Sequence, residues 1–319
     1  MCPAILAIVG PTAVGKSAVA EIVAGRLDGE IISADSMQIY RGMDIGTAKT
    51  PPEDRRVPYH LLDVAPPGTS YSAAVYQSAA RAVVDDLTAR NILPVFVGGT
   101  GLYVRAALDE MSFPAGDAAT DMRHVLEERA VRMGAIALHA ELATLDPNAA
   151  RLIHPNNVKR VVRALEMHAG GTSYADQAAT FARRTFHYDG TMLVGLTMER
   201  TELYRRIDGR VEQMIRSGLV DEVRGLLERG LRDALTAAQA IGYKEIVPVI
   251  EGESSLDAAL AAIQQASRRY AKRQLTWFRA DPRIRWVDAT GLTAAEAAFR
   301  VLDLLESCST TPAGGDPCV

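Results

Sequence analysis

The sequence has few cysteines, no long apolar run and no surplus of positive charge, and each shortage excludes a class of protein. Its three cysteines, Cys2, Cys308 and Cys318, are odd in number and wrongly spaced for a disulfide framework or a metal site. A chain of this kind is expected in a reducing cytoplasm. No apolar stretch approaches the roughly 20 residues of a membrane span. The apolar start, Met1 to Gly10, lacks the basic leader and cleavage site of a signal peptide, so we interpret it as a first strand.

The net charge of −4 argues mildly against a nucleic-acid partner, but it is only a sum over the whole chain. A local basic face can still bind phosphates in an acidic protein. Between Arg268 and Arg285 the sequence holds seven arginines and lysines against one acid, Asp281. A solvated helix face is the ordinary interpretation of such a run, and a phosphate-binding surface is the alternative.

Strands alternate with helices in the first part of the chain. The continuous apolar run from Ala4 to Val9 is typical of a strand buried on both faces. Further strands are predicted at Glu30 to Ser33 and Pro94 to Val97, and helices at Ser17 to Leu27 and Ser72 to Arg90. This alternation predicts an α/β fold with a parallel sheet flanked by helices.

After about residue 115 the pattern becomes helical, and alternation returns only at Thr191 to Thr197. We therefore predict an α/β core formed by 1–115 and 191–306, interrupted by an all-helical insertion domain at 116–190. The second part of the core is expected to contain helices at about 200–229 and 255–279, a last strand at Ile284 to Val287 and a helix to about Leu305. The tail, 307–319, is rich in small residues and proline and is expected to be disordered.

A phosphate-binding loop (P-loop) follows the first predicted strand. Gly10-Pro-Thr-Ala-Val-Gly-Lys16-Ser17 matches the pattern G-x-x-x-x-G-K-[ST], with a strand before it and a helix after it. Glycines let successive backbone N–H groups face phosphate oxygens, and the helix N-terminus adds partial positive charge. Lys16 is a mobile charge for a phosphate, and the Ser17 hydroxyl can ligate Mg²⁺. Because ATPases, kinases and other transferases all use such a loop, it does not name a reaction.

Asp35 lies just past the end of the second predicted strand. In an open parallel sheet, ligands bind at that edge. A carboxylate there can bind Mg²⁺ or act as a base. The structural alternative is an Asx-turn or a helix N-cap, which is common for an aspartate that precedes a serine.

Several further runs stand in order along the chain. They are Asp35-Ser-Met-Gln-Ile-Tyr40, Asp44-Ile-Gly-Thr-Ala-Lys49, His60-Leu-Leu-Asp63, Gly98-Gly-Thr-Gly-Leu-Tyr103, His154-Pro-Asn156 followed by Arg160 and Arg163-Ala-Leu-Glu166, Ile241-Gly-Tyr243 and Lys272-Arg-Gln-Leu-Thr-Trp-Phe-Arg279. Together with the P-loop they resemble the tRNA dimethylallyltransferases from residue 10 to about 279. The P-loop is generic, whereas the first, second and fourth of these runs together are highly specific.

The resemblance implies a reaction. The exocyclic amine of the adenosine next to the anticodon, nucleotide 37, attacks the allylic carbon of dimethylallyl pyrophosphate, and pyrophosphate leaves. The resemblance assigns the base to Asp35 and places Thr100 near the reacting centre. A general base contributes about 10²–10⁴ in rate. Preorganised donors should stabilise the charge on the leaving group.

The pyrophosphate site is expected to combine the P-loop, Mg²⁺ and an arginine. Leu203, Ile207, Val211 and Ile215 form an apolar stripe. Arg206 and Arg210 are four residues apart on a neighbouring face, so both can reach one anion. The resemblance favours Arg210 as a catalytic residue, with Arg206 second. The predicted pyrophosphate-binding residues are Gly10, Pro11, Thr12, Ala13, Val14, Gly15, Lys16, Ser17 and Arg206, with Ser17 also a ligand of the metal.

The resemblance also implies a tRNA site in the helical insertion. Lys159, Arg160 and Arg163 share one helix face. RNA is mostly recognised through loops whose bases can be splayed out, and a flipped base can enter a pocket. The predicted tRNA-binding residues are Asp35, Ser36, Met37, Gln38, Thr100, Arg123, Lys159, Arg160, Val161, Val162 and Arg163.

The preferred interpretation is a cytoplasmic, monomeric, Mg²⁺-dependent transferase that binds the anticodon stem-loop of tRNA and dimethylallyl pyrophosphate. One rival is the related adenylate dimethylallyltransferase, which prenylates a free nucleotide. The basic face of the insertion and the basic segment after Arg268 favour tRNA over this rival. A second rival is a small-molecule kinase that uses ATP. A non-catalytic RNA-binding module does not explain the P-loop.

Overall fold

The sheet in the described part of the chain is parallel throughout. The structure is a computed structural model that describes residues 3–113 and 121–309. Its strands are β1 (Ile5–Val9), β2 (Gly29–Ser33), β3 (Tyr59–His60), β4 (Leu93–Gly98), β5 (Thr191–Thr197) and β6 (Ile284–Asp288). They are arranged in the order β3-β2-β4-β1-β5-β6. The α/β class predicted from the alternation of strands and helices is confirmed.

Helices cover much of the rest of the described chain. In order they are α1 (Lys16–Arg26), α2 (Ala73–Ala89), α3 (Gly101–Leu108), α4 (Asp121–Met133), α5 (Ala135–Leu145), α6 (Pro147–Leu152), α7 (Val158–Ala169), α8 (Tyr174–Ala182), α9 (Arg200–Arg216), α10 (Leu219–Leu227), α11 (Tyr243–Ile250), α12 (Leu256–Arg279) and α13 (Ala294–Ser309). Short 3₁₀ helices lie at Pro52–Asp54, Leu231–Asp233 and Ala237–Gln239. None of the helices in the described ranges is long and apolar enough to span a membrane.

Strand β1 is buried along its whole length because helices cover both faces of the sheet. Successive side chains of a strand point to opposite faces. Ile5, Ala7 and Val9 accordingly belong to one apolar cluster, and Leu6 and Ile8 belong to another. The continuous apolar run in the sequence is therefore the consequence of two cores, one on each side of the sheet.

The chain divides into two compact units. The first comprises Met1–Leu108 and Phe186–Val319, and the second is Asp109–Thr185. The second unit contains only helices among its described residues and has its own apolar cluster, which includes Leu138, Leu142 and Val161. Its limits lie before those of the expected insertion at 116–190, because Phe186 and Tyr188 pack against the core of the first unit.

Two expectations about helix limits are corrected. The helix expected at about 200–229 is two helices, because Gly218 adopts a left-handed φ of 99° between α9 and α10. Residues 307–309, which were expected to belong to a disordered tail, form the end of α13, which runs to Ser309. The rest of that tail, 310–319, lies outside the described residues, as do 114–120, which contain the expected domain boundary.

Candidate active site

The predicted functional residues of the first unit meet at one edge of the sheet. The P-loop, Gly10 to Ser17, follows β1, Asp35 follows β2, and Thr100 follows β4. These three strands are adjacent in the order β2-β4-β1. Because carboxyl ends of parallel strands share one edge, the three segments are brought together by the topology itself.

The P-loop turns directly into α1. Gly15 adopts a φ of 101°, which a residue with a Cβ rarely does, and it forms the N-cap of the helix. Lys16 Nζ donates to the carbonyl oxygen of Pro11 at 2.7 Å, so the side chain lies across the loop. Val14 is buried in the core, so only its backbone can contribute to ligand binding.

Asp35 forms the turn that the structural alternative predicted, and it also faces the site. Its Oδ1 accepts the backbone N–H of Met37 at 2.9 Å. The Thr100 hydroxyl oxygen accepts the backbone N–H of Ser36 at 3.0 Å and donates to the Ser36 hydroxyl at 3.3 Å. The ends of β2 and β4 are thereby tied together. Thr100 therefore stabilises the turn that contains Asp35.

Two cavities adjoin these segments, one of about 420 Å³ and one of about 70 Å³. The larger is lined by both apolar and polar side chains, with Met37, Ile207 and Val211 among the apolar ones. The smaller is lined by polar groups that include Lys16 and Ser17. The residues that line both are Thr12, Asp35, Thr47, Arg210 and Tyr270. The cavities therefore meet at a carboxylate and a guanidinium.

Arg210 projects from α9 onto the P-loop. Its Nη1 donates to the Thr12 hydroxyl at 2.8 Å, while its Nε is buried without a hydrogen-bond partner among the described residues. Burial lowers the pKa of Arg210, and the neighbouring Asp35 carboxylate opposes that shift. A buried donor without an acceptor is costly, so a ligand oxygen at this position is favoured.

Lys16 is subject to similar forces. The pKa of Lys16 is lowered to about 8 as the net result of three effects: burial lowers it most, Asp35 raises it, and Arg210 lowers it. Two cationic groups at one end of the P-loop repel each other, and a bound polyanion relieves this repulsion. The electrostatics of the site thus fit a phosphate-containing ligand.

Arg206 occupies a different environment, one turn earlier on α9. Its Nη2 pairs with Glu202 at 2.7 Å. It lines neither of the two cavities described above. In this structure the position of Arg210, rather than that of Arg206, brings a guanidinium to the P-loop.

The structure adds residues that have no role in the sequence-based prediction. Gln274 on α12 is 4% exposed, and its Oε1 accepts the backbone N–H of Thr12 at 2.8 Å. Its Nε2 donates to the carbonyl of Gly99 at 3.0 Å, which ties α12 to the P-loop and to the end of β4. Arg269 and Arg273, from the basic run, line the larger cavity. A solvated helix face is therefore an incomplete account of that run.

The predicted tRNA-binding residues of the helical unit fall into two groups, one of charged side chains and one of buried apolar side chains. Lys159 and Arg160 are exposed on α7. Arg123 and Arg163 both pair with Glu166, at 2.6 and 3.5 Å respectively.

Val161 and Val162, by contrast, are 0% and 2% exposed in the apolar cluster of this unit. The expectation that they contact RNA is wrong for their side chains, because the helix turns these positions inward. The predicted tRNA surface on α7 consequently consists of charged residues alone.

The chain is similar to a known protein family and to known proteins over most of its length. A family model described as IPP transferase matches residues 38–281. A tRNA dimethylallyltransferase of Geobacillus thermodenitrificans is 49% identical over 292 residues, which cover 91% of this chain and 92% of the relative. A protein of the same name from Thermobifida fusca is 48% identical and covers 93% of this chain and 94% of the relative.

Solved structures of similarly named transferases are also similar to this chain. A tRNA isopentenylpyrophosphate transferase from Bacillus halodurans has a TM-score of 0.68 and 43% identity, covering 96% of this chain and 97% of that one. A eukaryotic dimethylallyltransferase acting on tRNA has a TM-score of 0.80 and 26% identity, covering 98% of this chain and 81% of that one. The similarity thus extends over nearly all of the chain.

Proposed function

Since the chain belongs to the IPP transferase family, we propose that its paired cavities transfer a dimethylallyl group from dimethylallyl pyrophosphate to tRNA. The acceptor is the exocyclic amine of the adenosine next to the anticodon, nucleotide 37. The observation that carries the proposal is that Asp35 and Arg210 line both cavities. A base for the amine and a cation for the leaving group are thereby placed at the junction where acceptor and donor must meet.

The reaction forms a bond between the amine nitrogen and the allylic carbon and breaks the bond from that carbon to the pyrophosphate oxygen. Asp35 accepts the proton of the attacking amine. The bonding electron pair leaves with pyrophosphate, whose charge Lys16, Arg210 and the P-loop N–H groups stabilise. Thr100 positions the Asp35 turn through its hydrogen bond to Ser36. The apolar side chains of the larger cavity suit the dimethylallyl group and exclude water from it.

We also propose that the donor binds with Mg²⁺. The Ser17 hydroxyl lines the smaller cavity beside Lys16. An oxygen donor of this type, completed by phosphate oxygens of the substrate, suits Mg²⁺. The ion would be held by Ser17 and would neutralise charge on the pyrophosphate. The enzyme is proposed to act as a monomer in the cytoplasm.

An assay with purified protein tests the proposed function. An unmodified anticodon stem-loop RNA and dimethylallyl pyrophosphate should yield RNA that contains N6-dimethylallyladenosine, together with pyrophosphate. AMP in place of the RNA tests the nucleotide-prenylating rival, and ATP in place of the donor tests the kinase rival. Prenylation of AMP in preference to RNA, or consumption of ATP, would reject the proposal.

The pH dependence of donor use should report Lys16. Because the pKa of Lys16 is lowered to about 8, the side chain is charged below this value and neutral above it. We expect kcat/KM for the donor, which reports groups of the free enzyme, to fall about tenfold per pH unit above about 8. Initial rates of prenylation between about pH 6.5 and 9.5 measure this.

Lys16→Ala provides the control for that profile. The variant should be slower at every pH, and the decline above about pH 8 should be absent from its profile. If the same decline persists in Lys16→Ala, another group titrates there and the assignment to Lys16 is wrong.

The exposed charges of α7 are proposed to bind tRNA phosphates. Each phosphate contact contributes about 0.7–0.9 to the slope of log K against log[salt]. Replacing Lys159 and Arg160 together by Ala should therefore flatten the slope by about 1.5 and raise the KM for tRNA. Arg163 is left intact in this variant because it also pairs with Glu166. Salt titrations of tRNA binding provide the measurement.

A second double variant separates local contact from total charge. Arg216 and Arg224 are exposed arginines of the first unit that pair with Glu212 and Asp221. Their replacement by Ala removes the same two positive charges and should leave the slope unchanged. Equal slopes for the Lys159/Arg160 variant and the parent would show that α7 presents only a solvated face.

A further inference from the structure

The loop from Asp44 to Gly46 is bound through its backbone by one carboxylate. Glu222 on α10 accepts three successive N–H groups, from Asp44 at 3.1 Å, Ile45 at 2.8 Å and Gly46 at 3.2 Å. Its Oε1 also accepts the Tyr243 hydroxyl at 2.6 Å. A carboxylate has about four acceptor sites, so these four donors use its full capacity.

Close packing keeps the loop against α11. A Cβ at Gly46 would lie 2.4 Å from Cε2 of Tyr243, a distance that side chains do not tolerate. Tyr243 is fully buried. Burial and the Glu222 carboxylate raise the pKa of Tyr243, so its hydroxyl stays protonated and donates. The loop can therefore adopt this position only with glycine at 46.

The loop leads into the site through Thr47, which lines both cavities. The Thr47 carbonyl accepts Gln38 Nε2 at 3.3 Å. The Gln38 Oε1 in turn accepts the Ser33 hydroxyl at 3.0 Å. These two bonds fix which end of the Gln38 amide is the donor and which is the acceptor.

We propose that Glu222 is a positioning residue: it fixes the backbone from Asp44 to Thr47 and, through the Thr47 carbonyl, orients the amide of Gln38, which lines the smaller cavity beside Asp35 and is one of the residues predicted to bind tRNA. Glu222 itself lines neither cavity described above. The inference rests on the proposed function and on the sequence-based prediction that Gln38 is one of the tRNA-binding residues. It adds a residue on α10 to the determinants of acceptor binding.

Glu222→Gln tests the inference because it keeps the shape and replaces one acceptor oxygen by a donor. Loss of a hydrogen bond to a charged group changes an equilibrium constant by about tenfold or more. We expect kcat/KM for the stem-loop RNA to fall by about tenfold or more, while KM for the donor changes less than about twofold. Asp221→Asn removes a neighbouring carboxylate, one paired with Arg224, and is the matched control with parental kinetics.

A double-mutant cycle with Gln38→Ala tests whether Glu222 acts through Gln38. If Glu222 acts through Gln38, Glu222→Gln should cost little in the Gln38→Ala background, whereas independent residues would give additive losses. Additive losses, or a donor KM that rises as much as the RNA KM, would overturn the proposal. Gly46→Ala, which displaces the loop with Glu222 intact, should reproduce the selective loss toward RNA, and its failure to do so would also count against the proposal.

Hydrogen exchange separates this inference from the proposed function. Amide exchange in a peptide covering Asp44 to Gly46 should be faster in Glu222→Gln than in Asp221→Asn, whatever reaction the protein performs. Unchanged exchange would overturn the role of Glu222. A parent protein that exchanges as expected but prenylates no RNA would instead overturn the proposed function.

Discussion

Asp35→Asn should reduce single-turnover prenyl transfer by about 10²–10⁴-fold, the range that a general base contributes. The substitution keeps the Oδ1 that accepts the Met37 N–H at 2.9 Å, so the turn after β2 is preserved. It removes the basic oxygen at the junction of the two cavities. Rapid mixing of enzyme, donor and stem-loop RNA, followed by quantification of the prenylated adenosine, gives the rate.

RNA binding is the control for this variant. The affinity for the stem-loop should change less than about threefold, because an amide retains an acceptor and adds a donor near the base. Asp35→Ala loses the turn bond as well, so a greater loss of RNA affinity in that variant would separate the structural role from the chemical one. A transfer rate within about tenfold of the parent in Asp35→Asn would remove Asp35 as the base.

Much of the sheet could be predicted because its strands carry strong local signals. The apolar run of β1 reflects burial on both faces, and β5 and β6 follow the return of alternation after the helical unit. Strand β3 has no signal in the sequence because its two residues, Tyr59 and His60, are too few to form a pattern. Helix α11 is not predicted by the sequence because Pro248 lies inside it, and a proline normally indicates a helix end.

Residues of the candidate site could be predicted only where they directly follow a strand in the sequence. The P-loop and Asp35 follow directly from strand ends, so motif and context locate them. Gln274 is distant in sequence, and its role depends on how α12 crosses the P-loop, which no local pattern records. The contacts of Glu222 are similarly tertiary, since they join α10 to a loop 176 to 178 residues earlier.

For the predicted tRNA-binding residues, the pattern of charge in the sequence does not show which basic side chains are ion-paired. On α7 the sequence places basic residues on one face, and the structure adds that Arg163 shares Glu166 with Arg123. A charge that is already paired loses part of its attraction for a phosphate. Lys159 and Arg160 are therefore the stronger candidates for the electrostatic part of tRNA binding.

Arg210→Ala should lower kcat/KM for dimethylallyl pyrophosphate by about 10²–10³-fold, the cost of removing one preorganised donor from a developing charge. The guanidinium donates to Thr12 at 2.8 Å and keeps its buried Nε without a partner among the described residues, so it is held beside the P-loop with donor capacity to spare. Since its contribution grows as the pyrophosphate departs, kcat should fall more than KM rises.

The matched control lies one turn away on the same helix. Arg206 pairs with Glu202 at 2.7 Å and lines neither cavity, so Arg206→Ala removes an equal charge from α9 without removing a donor from the site. We expect its kcat/KM to stay within about threefold of the parent, because this partly buried ion pair lies outside both cavities. Arg210→Lys, which restores the charge but not the fork of donors, should recover only part of the loss. An unchanged kcat/KM in Arg210→Ala, or a greater loss in Arg206→Ala, would exchange the roles of the two arginines, and the pyrophosphate would then have to bind toward Glu202 rather than between the P-loop and Asp35.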